Sequence, residues 1–360
     1  MSHNLFHLND KNTILPIFSR LQVPFWGRQL AFLAAVCFIG LIVLGSFLRV
    51  GWNSYDRAML NDMVRGTAHR PFVYRALTPF LIRRVMDVMP DALKKTLEEA
   101  AEEPKARQLL AKLDIDDSTV VQATASCIVM AGALILFAYA MVWLLRSCYR
   151  VDDITAGISA LFALAGLPPF FRYYSYIYDF PTLALFTLSL VVLAKRKWWV
   201  YFPLLALTTV SKETAILLPL IFAVHYRRRL PTGNYLGLLG AQLLLFATLK
   251  GLLTVWYSNR PGSIVESHIV HNLMLHPYDF AQYLAFVAIF VAILYEWENK
   301  PAFLKNALVI VVPLFCLTFV LGLIDEYRDY YEAYPVAFAL VCHTVNRVLK
   351  RDFQTQETAV

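Results

Sequence analysis

Ten apolar runs divide this chain, and their lengths decide what it can fold into. They are Leu30–Leu48, Val120–Leu145, Thr155–Phe171, Pro181–Ala194, Trp198–Val210, Ala215–His225, Leu236–Tyr257, Tyr283–Tyr295, Ala307–Leu323 and Tyr334–Val345. In lipid every backbone polar group must be satisfied within the segment, so a spanning element is a helix of about 20 apolar residues. Some runs reach that length and others fall short. Hydrophobic residues make up 58% of the chain and charged residues 16%, against about a quarter charged in a soluble domain. The expected fold is an all-α integral membrane protein with about ten transmembrane or half-membrane helices. No internal repeat or low-complexity linker interrupts the pattern, so residues 1–360 are expected to form one polytopic domain.

The basic residues orient it. With the N-terminus in the cytoplasm, Lys11, Arg20, Arg28, Arg146, Arg150, Lys195 to Lys197, Arg227 to Arg229, Lys300, Lys305, Arg347, Lys350 and Arg351 all fall inside. The short outer loops carry only Arg172, Lys212, Arg260 and Arg328. Such asymmetry across short loops sets topology, and it places both termini in the cytoplasm of a bacterial inner membrane. The net charge of +7 follows from topology and from contact with anionic membrane lipids, without any nucleic-acid partner. The five cysteines (Cys37, Cys127, Cys148, Cys316, Cys342) lack metal-type spacing and read as small apolar residues.

Residues 198–225 form the most unusual segment. Two runs too short to span meet at Ser211-Lys212-Glu213-Thr214, with Lys195-Arg196-Lys197 before them and Arg227-Arg228-Arg229 after. Both ends of this hairpin are expected in the cytoplasm, with its apex at or below the outer lipid boundary. Ionisable groups at that depth mark a functional site unless they pair and snorkel to the interface. For Lys212 and Glu213 both readings are open.

The extracytoplasmic loop 49–119 is too polar for lipid and too helix-rich for disorder. Its stretch Arg70 to Arg84 places Leu77, Leu81 and Val85 on one helical face with Arg83 turned away, which suits an interfacial helix. Pro90 to Asp116 reads as a charged helix or helix pair. Asp56, just after the first span, is either a general base, a cation ligand or the cap of the turn that follows. Arg70 and Arg75 are either phosphate-gripping guanidiniums or headgroup and structural contacts.

Further along, Asp179 follows four tyrosines (Tyr173, Tyr174, Tyr176, Tyr178) and precedes Pro181. A helix-cap role fits Asp179, and the tyrosines fit an interfacial aromatic belt better than a sugar-stacking wall. The short loop Asp325-Glu326-Tyr327-Arg328-Asp329-Tyr330-Tyr331-Glu332 concentrates four carboxylates around one arginine. Such a loop is either solvated or built for a sugar or cation, with Asp325, Glu326 and Arg328 as candidate contacts. Glu266, His268, His271 and His276 are spaced too loosely for a metal site. No P-loop, dinucleotide-binding glycine pattern or nucleophile elbow is present, and the cytoplasmic loops are too short for a nucleotide-binding domain. A lipid-linked substrate fits this layout where a soluble nucleotide sugar does not.

The layout and three stretches resemble the bacterial polytopic glycosyltransferases of the GT-C superfamily. These are Tyr55-Asp56 leading into a large outer loop, Arg70-Pro71-Phe72-Val73-Tyr74-Arg75-Ala76-Leu77-Thr78-Pro79, and Tyr178-Asp179-Phe180-Pro181 together with Ser211-Lys212-Glu213-Thr214-Ala215. The last is similar to an Asn-Arg-Glu-Thr-Ala pattern, with Ser for Asn and Lys for Arg. The resemblance implies a polyprenyl-phosphate-linked sugar as donor and a glycan or lipid as acceptor. It also implies inverting transfer with Asp56 as general base, and Arg70, Arg75 and Lys212 on the departing phosphate. Asp179 and Glu213 would orient Lys212 or the sugar hydroxyls, with Asp325, Glu326 and Arg328 of the acidic loop as further substrate-orienting candidates from their own composition, and a divalent cation assists in some members. Two other classes stay open, an envelope-polysaccharide polymerase or ligase and a lipid-linked-substrate flippase or transporter. A transporter should carry repeat symmetry, and a polymerase a large outer loop late in the chain.

Overall fold

A computed structural model of the chain describes residues 25–50, 52, 55–113, 115, 119–263, 267–274, 280–350 and 353–356. The fold is all-α. The helices are α1 (Phe25–Leu48), α2 (Leu60–Arg65), α3 (Leu77–Val88), α4 (Asp91–Glu102), α5 (Pro104–Ala111), α6 (Val120–Cys148), α7 (Asp153–Ala165) and α8 (Asp179–Ala194). Then follow α9 (Trp198–Ser211), α10 (Leu217–Tyr226), α11 (Thr232–Trp256), α12 (Ile269–Met274), α13 (Phe280–Leu294), α14 (Ala302–Ala307), α15 (Val311–Leu321) and α16 (Tyr334–Val348). Two residue-pair strands, β1 (Tyr149–Arg150) and β2 (Gln354–Thr355), pair antiparallel and fasten the C-terminal segment to the end of α6.

Each of the ten apolar runs is helical. Among the described residues five helices are long and apolar enough to cross a membrane: Trp26–Leu48, Val120–Cys148, Asp153–Phe170, Thr232–Trp256 and Ala302–Leu321. The others are shorter, including Asp179–Ala194, Trp198–Ser211, Glu213–Tyr226 and Phe280–Leu294. The side chains facing outward on α1, α11 and α13 are large and apolar, among them Phe38, Leu41, Leu244, Trp256 and Phe290. Such a surface is at home in hydrocarbon and not in water.

The packing centre is α6, which contacts α1, α3, α7 and α8, while α8 packs on α9 and α9 on α11. Small residues permit the close approach: Ala125, Ala138 and Ala140 on α6 and Ala184 on α8 are fully buried. Hydroxyls then bind the helices where apolar contact gains nothing over lipid. Thr182 and Ser211 hydrogen-bond at 2.8 Å, and the Tyr201 hydroxyl donates to Gln242 Oε1 at 2.9 Å, tying α9 to α11.

In the segment 49–119, α3 is amphipathic as its sequence predicts, and Pro90 onward forms the two charged helices α4 and α5. Gly66 ends α2 in the left-handed region at φ 71°. The hairpin 198–225 also forms. It breaks at Lys212, whose backbone is extended (φ −158°, ψ 147°), and re-enters through a 3-10 turn over Glu213–Ile216.

Candidate functional site

Four loops converge at one end of the bundle. They are the turn Phe72–Tyr74 with Arg75, the tyrosine-rich segment 172–178, the break at Lys212 and Glu213, and the segment 325–332 between α15 and α16. Each brings a charge, and the charges pair across long stretches of sequence.

Arg75 is buried and donates through Nε to Glu213 Oε2 at 3.3 Å and through Nη2 to Glu213 Oε1. Its Nη1 donates to the Tyr178 hydroxyl, and the guanidinium lies 4.3 Å from the Tyr178 ring centroid and 5.3 Å from that of Phe72. A planar fork held on one carboxylate is the geometry that lysine cannot reproduce. Lys212 turns away from its neighbour Glu213 and sets its Nζ 3.1 Å from Glu332 Oε1. The Thr214 hydroxyl donates to that same oxygen.

Arg328 donates through Nε to Glu326 Oε1 at 2.5 Å, places Nη1 3.8 Å from Asp179 Oδ2, and stacks 4.1 Å from the Tyr176 ring. Asp179 accepts the backbone N–H of Tyr176 at 3.1 Å, so it closes the turn that starts α8. Asp325 accepts from the Tyr173 hydroxyl and stands 3.5 Å from Arg172 Nη1. Two of these acids keep an oxygen free of hydrogen bonds: Asp325 Oδ1 and Glu332 Oε2.

Of the four tyrosines, Tyr173 and Tyr174 are partly exposed and Tyr176 and Tyr178 turn inward. Tyr176 and Tyr178 are buried and stacked at 5.3 Å with planes 6° apart. This pair joins the Arg75 side of the site to the Arg328 side. Tyr55 extends the wall, with its ring 5.0 Å from Tyr174 and 5.5 Å from Phe72.

Six of the nine sequence-nominated residues thus meet in two linked groups, Arg75 with Glu213 and Arg328 with Asp179 and Glu326, with Lys212 beside them on Glu332. Asp325 joins through Tyr173 and Arg172. Asp56 begins a 3-10 turn, exposed, next to Tyr55 at the rim of the aromatic wall and outside the paired cluster. Arg70 is directed elsewhere. Its Nη2 donates to the Gly262 carbonyl at 2.6 Å and its backbone N–H to Pro261 at 2.8 Å, which clamps the loop after α11.

Sequence reasoning left three participants unassigned. Glu332 and Asp329 lie in the loop whose acid density drew attention, but nothing local distinguishes the acid that meets Lys212. Tyr178 was one of four equivalent tyrosines. Asp329 is half-buried, and burial together with the nearby Glu326 pushes its carboxyl up to about 7 despite Arg328, Lys212 and Arg75. A carboxyl poised there exchanges protons near neutrality. Its Oδ2 lies where Gly322 leaves room; a Cβ on that glycine would stand 2.5 Å from it.

The described residues contain no group of three or more His, Cys, Asp or Glu side chains in a metal-holding arrangement. The cluster's carboxylates instead face guanidinium, ammonium or phenol groups. Glu266 and His276 lie outside the described residues.

Beside the cluster runs an apolar groove of about 550 Å³ between α3, α6, α8 and α9. It is lined by the face of α3 that the sequence predicts to be apolar (Leu77, Leu81, Val85), with Val88 and Arg84 beside it and residues such as Leu136, Pro181 and Leu207 opposite. Leu77 is two residues beyond Arg75, and Pro181 two beyond Asp179. Two lining residues of the groove thus belong to the same chain segments as the paired charges. Across Arg84, which lines both, a second cavity of about 740 Å³ is lined by Arg65, Arg83, Asp87, Lys94 and Glu98 among others.

No known protein family, curated protein or solved structure matches this chain.

Proposed function

We propose that the protein is a membrane glycosyltransferase that takes its sugar from a polyprenyl-phosphate donor and passes it to a glycan or lipid acceptor. The observation that carries this reading is Arg75, a buried guanidinium two residues before Leu77, which lines an apolar groove. A prenyl chain fits such a groove and a phosphate fits such a guanidinium. The basic residues flanking the helices favour cytoplasmic termini, which would put the charged cluster on the extracytoplasmic side of the inner membrane.

The chemistry follows from the charges. A carboxylate removes the proton of the acceptor hydroxyl, with Asp56 at the rim as the base that the GT-C resemblance implies. The hydroxyl oxygen attacks the anomeric carbon, and the bond from that carbon to the phosphate oxygen breaks with inversion. Polyprenyl phosphate leaves with the bonding electron pair. Arg75 stabilises the charge that accumulates on it, the kind of preorganised donor worth most in a dry site. Glu213 and Tyr178 hold that guanidinium in place. Arg328, Asp179 and Glu326 would meet the sugar hydroxyls against the Tyr176 ring. Lys212 contributes through Glu332, and Arg70 by fixing the loop over the site.

The test is transfer of radiolabel from undecaprenyl-phosphate hexoses by the purified protein in the presence of a membrane extract. Wild type should move label to a new acceptor, Arg75→Met and Asp56→Asn should lose it, and both variants should remain folded. A well-folded wild type that transfers no hexose would refute the reading. Full activity of Asp56→Asn would remove Asp56 as the base.

A further inference from the structure

Helix α11 carries a single charged residue, Lys250, six residues before its end at Trp256. That is about 9 Å along the axis from the helix terminus, at about 1.5 Å per residue. The helix is otherwise apolar and is one of the five long enough to span a membrane. A lone ammonium at that depth is costly unless it is paired or lines a polar cavity. The Lys250 Nζ is buried and donates no hydrogen bond. An ammonium has three donors to satisfy.

Its surroundings say what is missing. Helix α11 packs against both the turn Phe72–Tyr74 and the turn Glu213–Ile216, the two segments that bring Arg75 and Glu213 together. Lys250 is close enough for the charges of both to act on it. Glu213 is already engaged by two hydrogen bonds from Arg75. Glu213 is thus committed to Arg75, and the Lys250 ammonium is left with no hydrogen-bonded counter-ion. The side chain of Glu213 is 43% exposed, so the spot is reachable by a ligand.

We infer that Lys250 and Arg75, brought together where α11 packs on the turns that carry Arg75 and Glu213, form an anion seat that takes a lipid-linked phosphate. An anion with several oxygens satisfies both cations at once. Arg75 offers a planar fork, and Lys250 a point charge with rotatable donors. The inference rests on the reading of the donor as a lipid phosphate and adds the residue that completes its binding site.

The test uses the full-length protein in nanodiscs, with native mass spectrometry reading bound ligand. Farnesyl monophosphate, inorganic phosphate and dimyristoyl phosphatidylglycerol are titrated in parallel. Wild type should bind farnesyl monophosphate, Lys250→Met should weaken it at least about tenfold, and Lys250→Arg should stay within about threefold, as expected for one buried charge-assisted contact. Removing an uncompensated cation should also leave the ligand-free Lys250→Met protein melting at or above the wild-type temperature. A structural lysine would do the reverse, so a lower melting temperature rescued by Lys250→Arg overturns the inference. So does undiminished binding by Lys250→Met, or a wild type that binds none of the three. Equal affinity for inorganic phosphate overturns the lipid linkage. Lys250-dependent binding of phosphatidylglycerol but not farnesyl phosphate upholds the phosphate seat and overturns the prenyl donor.

Discussion

Replacing Lys212 by methionine should destabilise the protein before it touches any donor. The Lys212 Nζ lies 3.1 Å from Glu332 Oε1, and the two side chains are 9% and 0% exposed. At that separation two unit charges attract by roughly 5 kcal/mol at an effective dielectric constant of about 20. Most of this attraction is offset by the cost of taking both ions out of water. The variant removes the attraction and leaves the cost. Glu332 would stay buried with only the Thr214 hydroxyl on Oε1, since its Oε2 already has no hydrogen bond. Breaking a buried pair from one side costs about 3–5 kcal/mol. Unfolding in mixed micelles, followed by far-ultraviolet circular dichroism, would measure it. Glu332→Gln alone should cost less, because an amide oxygen still accepts from Lys212. The double variant Lys212→Met, Glu332→Gln should recover about 2–3 kcal/mol relative to the sum of the singles, as interacting neighbours do. A loss below about 1 kcal/mol for Lys212→Met, or strict additivity, would show that the pair is not the buried contact described and that Lys212 is free for a ligand.

Asp329 gives a pH signature. Its folded-state carboxyl is raised from the ordinary 3.8 to about 7, so its contribution to stability is fully present below 3.8 and is lost as pH rises through about 7. Asp329→Asn should flatten the stability–pH curve across that window, measured by melting temperature. Gly322→Ala places a Cβ 2.5 Å from Asp329 Oδ2; it should displace this carboxylate and lower transfer activity while Gly322→Ser does no better, whereas unchanged activity would free Asp329 of any role. Lys300 donates to the carbonyls of Ala292, Ile293 and Leu340 and to the Thr344 hydroxyl. Lys300→Met should cost about 1.5–3 kcal/mol through loss of a charged cap on α13, read as earlier unfolding in the same micelle assay.

Most of the backbone was legible before any coordinates. The ten runs are helices because an apolar segment in lipid has no other way to satisfy its amides. The amphipathic α3 and the charged pair α4 and α5 follow from periodicity and composition in the same way. The short runs announced a break at Lys212, and the break is there. Lys250 also carries a readable signal, a single charge within the run Leu236–Tyr257.

Pairing was not legible. Lys212 and Glu213 are adjacent in sequence, yet each partners a group more than a hundred residues away, Glu332 and Arg75 respectively. An extended residue sends neighbouring side chains to opposite sides, so the backbone conformation of Lys212 separated what the sequence had placed together. Arg70 and Arg75 looked equivalent on the chain, but one turn directs the first to the loop at Gly262 and the second into the bundle. Local sequence determined helices and their faces, because hydrogen bonding and burial act within a turn or two. Which charge meets which was decided by the packing of α6, α8, α9 and α11, because ion pairing depends on distances that only the assembled bundle sets.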